Sequence, residues 1–187
     1  MQDPLVDLIS GDDARAEASL PAVLEMGKAA IPALLELTRS PDPDSRWWAV
    51  RALAASPHAL PADFILLLSD SAPDVRAAAA LALSFHPDEN AIPVLTQTLA
   101  DEDAITAGLA MTALIKIGAP AVPALIEVVE AAPLPAKILA LRALSELRDH
   151  RAIPILLKSA GAESALMRYW AQIGLEKLGL DMVYIQP

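Results

Sequence analysis

A small-residue stripe recurs five times along this chain: Ala49-Ala52-Leu53, Ala79-Ala82-Leu83, Ala110-Ala113-Leu114, Ala140-Ala143-Leu144 and Ala171-Gly174-Leu175. The anchoring leucines fall 30, 31, 30 and 31 residues apart. A second ladder marches with the first, since Ile31-Pro32, Leu60-Pro61, Ile92-Pro93, Val122-Pro123 and Ile153-Pro154 open successive units, and Pro57, Pro87, Gly118 and Gly179 close four of them. A degenerate first copy, with Pro4, Ser19, Ala22, Val23 and Gly27 in register, makes six. A unit of this length cannot bury its own apolar faces, so neighbours must stack into one continuous core. The expectation is an all-α, right-handed solenoid of six repeats.

Inside one unit, proline after an aliphatic residue suits the first turn of a helix, where its missing N–H costs nothing. This begins helix A. Apolar residues then recur at helical spacing, as in "IPALLELTRS" and "VPALIEVVEA", up to a turn such as "SPDPD" or "SDSAPD". Helix B follows, N-capped by Ser or Asp, with Ser71 and Asp74 forming a variant capping box, and stops at Gly or Pro. The predicted organisation is one domain over 1–187, with a capping repeat at 1–27, repeats at 28–57, 58–87, 88–118, 119–149 and 150–179, and a tail at 180–187. The tail "LDMVYIQP" is expected to fold over the last helix pair.

"IPALLELTRSPDPDSRWWAVRALAASP" and "APDVRAAAALALSFHP" resemble HEAT repeats, of the short PBS-lyase HEAT-like type. The resemblance rests on Pro near the start of helix A, Asp-x-Arg at the start of helix B, and the Ala-x-x-Ala-Leu stripe. Asp44-Ser45-Arg46 and Asp74-Val75-Arg76 match best, whereas Ala16 and Ala107 interrupt the Arg ladder. The family implies that helix B lines the concave side and that its first Arg holds neighbouring repeats together.

With that Arg as position zero, helical geometry assigns positions 3, 6, 7 and 10 to the core and 1, 5 and 8 to the open face. Position zero then reads Ala16, Arg46, Arg76, Ala107, Lys137 and Arg168; Arg46, Arg76, Lys137 and Arg168 take the inter-repeat role. Trp48 and Trp170, at position 2, should wedge between helices. Trp47, Ile138 and Tyr169 at position 1, and Arg51, Leu81 and Arg142 at position 5, are the candidate partner-binding residues. Arg51 and Arg142 have no structural task in this register. The acids fall in helix A and the turns, among them Asp42, Asp44, Asp70, Asp88, Glu89, Asp101, Glu102 and Asp103, which leaves an inner surface less negative than the rest. Such a surface suits a protein or peptide with acidic and apolar features.

Composition narrows the alternatives. A net charge of −10 argues against a nucleic-acid footprint, and the absence of cysteine removes disulfides and thiolate metal sites. No basic-then-apolar leader opens the sequence and the densest apolar run is "FILLL", so a cytoplasmic protein without a membrane span is expected. His58, His86 and His150 are spaced neither as a metal pair nor as a base beside a nucleophile, and read as solvated turn residues. No His-Glu dipeptide occurs, unlike the di-iron hydroxylases built on such repeats, and no glycine-rich phosphate loop is present. "GDDA" and "DEDA" read as helix N-terminal acids. No catalytic residue, metal or cofactor is assigned. The reading is a non-enzymatic interaction module with a protein partner or a homodimer contact through Leu81, Ile138 and Ile173. The alternative that the resemblance implies is a bilin lyase or tetrapyrrole binder, with Arg46, Arg51 or Arg142 pairing to propionates.

Overall fold

The computed structural model describes residues 3–180, so the tail expected at 180–187 lies, but for Leu180, outside the described residues. Every regular element among them is helical. The helices are α1 (Pro4–Leu8), α2 (Asp13–Glu25), α3 (Ile31–Leu37), α4 (Pro43–Ala55), α5 (Ala62–Ile65), α6 (Pro73–Phe85), α7 (Ile92–Thr98), α8 (Ala104–Ile117), α9 (Val122–Ala131), α10 (Leu134–Leu147), α11 (Ile153–Ala160) and α12 (Ala165–Lys177). Odd-numbered helices are short and even-numbered ones longer, giving six A–B hairpins. The chain divides into two compact units, Met1–His86 with α1–α6 and Pro87–Pro187 with α7–α12. In each unit the A helix packs on its own B helix, and successive B helices pack on one another, α4 on α2 and α6, and α10 on α8 and α12. This is the α-solenoid fold.

The prolines do more than end helix A. Pro43 and Pro73 are the first residues of α4 and α6, so "SPDPD" and "SDSAPD" carry both the stop of one helix and the start of the next. Carboxylates cap several of these starts: the Asp12, Asp42 and Asp103 side chains accept from the backbone N–H of Arg15, Ser45 and Thr106, at 3.0, 2.9 and 2.7 Å. The capping box expected at Ser71 and Asp74 is not formed. Ala72 occupies the cap of α6, and the carboxylate of Asp70 takes the Ala72 N–H at 2.8 Å instead. Before α3, α7, α9 and α11 the chain makes a turn of 3-10 helix. In the third pair α5 starts after Pro61 and tightens into 3-10 helix over Leu66–Ser69, which turns Leu67 and Leu68 inward and leaves Leu66 exposed.

Helix ends show where a glycine is needed. Gly118 closes α8 at φ +86°, a region that glycine enters without penalty. The fifth copy has no glycine there, and Arg148 closes α10 in the left-handed region at φ 51°.

The stripe forms the core. Ala49, Ala52, Leu53, Ala79, Ala82, Leu83, Ala110, Ala113, Leu114, Ala140, Ala143, Leu144, Ala171 and Leu175 have no exposed surface. Each such leucine contributes roughly 2 kcal/mol of apolar burial. Gly174 completes the sixth copy because a Cβ there would stand 3.0 Å from the Leu156 methyls. Three register assignments need correction. Position 10 is only half-buried at His86, Ile117, Leu147 and Leu178, whereas position 4 is buried at Val50, Ala80, Met111 and Leu141. Position 8 is not uniformly open, since Ser84 and Ser145 are buried. Ala22 is exposed although its equivalents are buried. A B helix touches its own A helix and neighbouring B helices, so its buried arc is wider than one stripe.

Candidate functional site

Position zero has a repeated geometry. The guanidinium of Arg46 donates to the carbonyls of Ser40 and Pro41 at 2.9 and 3.2 Å, that of Arg76 to Asp70 and Ser71 at 2.9 and 3.4 Å, and that of Arg168 to Ala162 and Glu163 at 2.8 and 2.7 Å. Among the described residues Lys137 reaches only the Glu130 carbonyl, at 2.9 Å. Each side chain ties the start of a B helix to the turn that leads into it. Arg46 also forms a bidentate pair with Asp70 of the following repeat, at 2.8 and 2.7 Å, with both side chains about a tenth exposed. Burial pushes the Asp70 carboxyl up, but the hydrogen bonds from Arg46 and the Ala72 N–H outweigh it and hold the group below its ordinary value. The same bond raises Arg46.

The indoles stand in two different settings. Trp48 is buried and Trp47 half-buried, their rings edge to face at 4.9 Å between centroids. Arg51 lies 5.4 Å from both ring centroids and pairs with Glu17 at 2.6 Å, so it does have a local task, contrary to expectation. Near the other end of the chain Tyr169 is exposed and Trp170 half-buried, again edge to face, at 5.1 Å. There the cation over the indole comes from the preceding B helix, α10, as Arg142 sits 5.3 Å from the Trp170 centroid. Leu81 is exposed and Ile138 half-buried.

A hollow of about 720 Å³ opens beside Trp47 in the first unit, lined by Asp13, Ala14, Glu17, Pro43, Asp44, Trp47, Trp48, Arg51, Ala72, Asp74 and Val75. Four carboxylates and one guanidinium line it. The expected less negative inner surface is therefore corrected here. Asp44 and Asp74 occupy position −2, in the first turns of α4 and α6, and Asp13 the first turn of α2. Sequence reasoning counted Asp44 among the turn acids, Asp74 in a capping box and Asp13 among helix N-terminal acids, and joined none of them to the aromatic residues. The missed signal was the 30-residue spacing of Asp44 and Asp74, which puts them on the edge that carries Trp47. Among the described residues no three His, Asp or Glu side chains are grouped to hold a metal ion.

The histidines do not behave alike. His58 and His150 are exposed, but His86 is not a solvated turn residue: its Nε2–H donates to the Ala54 carbonyl at 3.0 Å and its ring stacks on the buried Phe64 at 5.7 Å. No single helix among the described residues is long and apolar enough to cross a membrane.

Comparisons with known proteins place this geometry. The archaeal HEAT-like repeats protein from Thermococcus onnurineus NA1 is similar in structure at 17% identity and a TM-score of 0.60, over 86% of this chain and 76% of that one. The complex of CpcE and CpcF of phycocyanin lyase from Nostoc sp. PCC7120 contains a chain similar at 21% identity and a TM-score of 0.58, over 75% and 95%. A designed armadillo repeat protein in complex with the peptide (KR)4 is similar at 17% identity and a TM-score of 0.53, over 94% and 98%. No curated protein sequence matches. The model for PBS lyase HEAT-like repeats matches residues 137–160, and the model for HEAT repeats matches 31–114 and 60–136, more than half of the sequence. The chain belongs to the HEAT repeat family.

Proposed function

We propose that the chain is a non-enzymatic scaffold module, a single HEAT-like repeat domain, that binds a protein or peptide partner on its concave helix B surface. The observation that carries this reading is the state of positions 1 and 5: Trp47, Arg51, Leu81, Ile138, Arg142 and Tyr169 keep open surface on helices whose stripe is otherwise sealed. Half-open aromatic residues beside guanidinium groups supply contact area at small entropic cost. Arg46 joins its repeat to the next through Asp70, and Trp170 meets Arg142 of the repeat before it, whereas the inter-repeat role expected of Lys137 and Arg168 gives way to bonds with the carbonyls of their own turns. The designed neighbour that binds a peptide on the same fold supports a peptide-sized partner. Affinity capture tests the reading with wild type and a Trp47→Ala, Arg51→Glu, Arg142→Glu variant of unchanged helical circular dichroism. A partner retained only by wild type supports it; equal retention removes these residues from the contact.

A tetrapyrrole is the second reading, favoured by one observation: the segment matching the PBS-lyase repeat contains Arg142, which lies over Trp170. An absorbance shift on adding a bilin, lost in Arg142→Glu, would select it. Self-association through Leu81, Ile138 and Ile173 would appear as a dimer mass in light scattering.

A further inference from the structure

We infer that the hollow beside Trp47 is a docking site for a basic, extended segment of the partner, one whose Lys or Arg side chains meet Asp44 and Asp74 while their stems lie on Trp47. The inference rests on the partner-binding reading above and assigns the partner's chemistry. Three features of the hollow carry it.

The first is charge. Asp13, Asp44 and Asp74 have no ion-pair partner among the described residues, and the one cation in the hollow, Arg51, is already paired with Glu17. Uncompensated carboxylates on a concave wall attract a cation and repel an acidic partner. The second is the floor. Trp47 is half-buried, Trp48 and Val75 are buried, and Arg51 at 5.4 Å from both indole centroids shows that a guanidinium fits against these rings with a carboxylate at its end. Lys and Arg stems pack on such surfaces while their heads stay hydrated.

The third is the layout. Asp44 and Asp74 hold the same register position in the first turns of α4 and α6, which pack against each other, so the two carboxylates form a row across neighbouring helices whose axes typically lie about 8–10 Å apart. They do not converge as a metal ion requires. An extended chain presents side chains to one face every second residue, about 6.8 Å apart, and two long basic side chains bridge that row.

The test is fluorescence anisotropy with a labelled octapeptide of alternating Lys and Arg, against an octapeptide of alternating Glu and Leu. Wild type should bind the basic peptide and not the acidic one. The Asp44→Asn, Asp74→Asn variant should weaken basic-peptide binding about tenfold, the size of two partly exposed charge pairs. The control Glu89→Gln, Glu127→Gln removes the same charge from exposed residues outside the hollow and should change binding less than twofold. Trp47→Ala should weaken binding with the carboxylates intact. Equal losses in the variant and the control would reduce the effect to net charge and overturn the site. No binding of the basic peptide would overturn it as well. Binding of the acidic peptide alone, lost in Trp47→Ala, would overturn the basic-segment inference and leave the partner-binding reading standing.

Discussion

The two units are built from the same repeat, yet they put opposite chemistry at the same register position. At position −2 the first unit carries Asp44 and Asp74; the second carries Ile105, Pro135 and Leu166, with Ile105 68% and Leu166 56% exposed. Position zero differs too. Arg46 is locked to Asp70 in a buried bidentate pair, whereas among the described residues Lys137 and Arg168 meet only backbone carbonyls of their own turns. For Lys137 the reason lies in the next repeat: Asp70, the partner of Arg46, stands six residues before Arg76, whereas Ala162 stands six residues before Arg168. A repeat fold needs the stripe and the turn, and tolerates free variation elsewhere, so the edge of helix B is where two ends of one solenoid can acquire different partners.

The largest expected effect breaks the comparison at position zero. Arg46→Met strands Asp70 in a mostly buried site and should cost about 3 kcal/mol in urea unfolding, while Arg168→Met should cost under about 1 kcal/mol. Equal costs would mean that the carboxylate pair adds nothing to the carbonyl contacts. Next is the stripe of the second unit: Gly174→Val must displace Leu156 and should destabilise by about 2 kcal/mol, read as a lower melting temperature.

The buried pair should also give stability a pH dependence. The Asp70 carboxyl is held below its ordinary 3.8 in the folded chain, so the pair's contribution is complete above that pH and is lost as the pH falls through the lower, folded value. Acid titration of stability should therefore be flatter in Asp70→Asn below pH 3.8. Smaller still is Arg148→Gly, which relieves a left-handed arginine at the end of α10 and should raise stability by about 0.5 kcal/mol. The smallest is Glu17→Gln. Its pair with Arg51 is 41% and 55% exposed, so unfolding should change by only a few tenths of a kcal/mol, while freeing Arg51 alters Trp47 and Trp48 fluorescence.

Much of this was legible in the order of residues. Repeat spacing is a property of the chain alone, and a period of 30 or 31 with Pro near one end and Gly at the other admits few folds besides stacked helix hairpins. The small side chains of the stripe announced the close approach of helices, and the family resemblance added the Arg at the start of helix B, expected to join neighbouring repeats and found chiefly on the carbonyls of its own turn. The candidate site was less legible. Arg51, read as a partner-binding residue, was given no structural task because its partner, Glu17, lies 34 positions earlier, on the neighbouring repeat. The charge around Trp47 was missed for a related reason: Asp44 reads as a turn acid and Asp74 as a capping residue when their own repeats are considered singly.

Periodicity is additive along the sequence and survives any one substitution, which is why the helix pairs and their core could be written down from the residues. Which side chains share a hollow depends on the lateral packing of α2, α4 and α6, a contact between residues some thirty positions apart that no single repeat encodes. Burial, pairing and the sign of the local field follow from that packing. They are set when the repeats stack, and they place four carboxylates around Trp47 and its guanidinium neighbour.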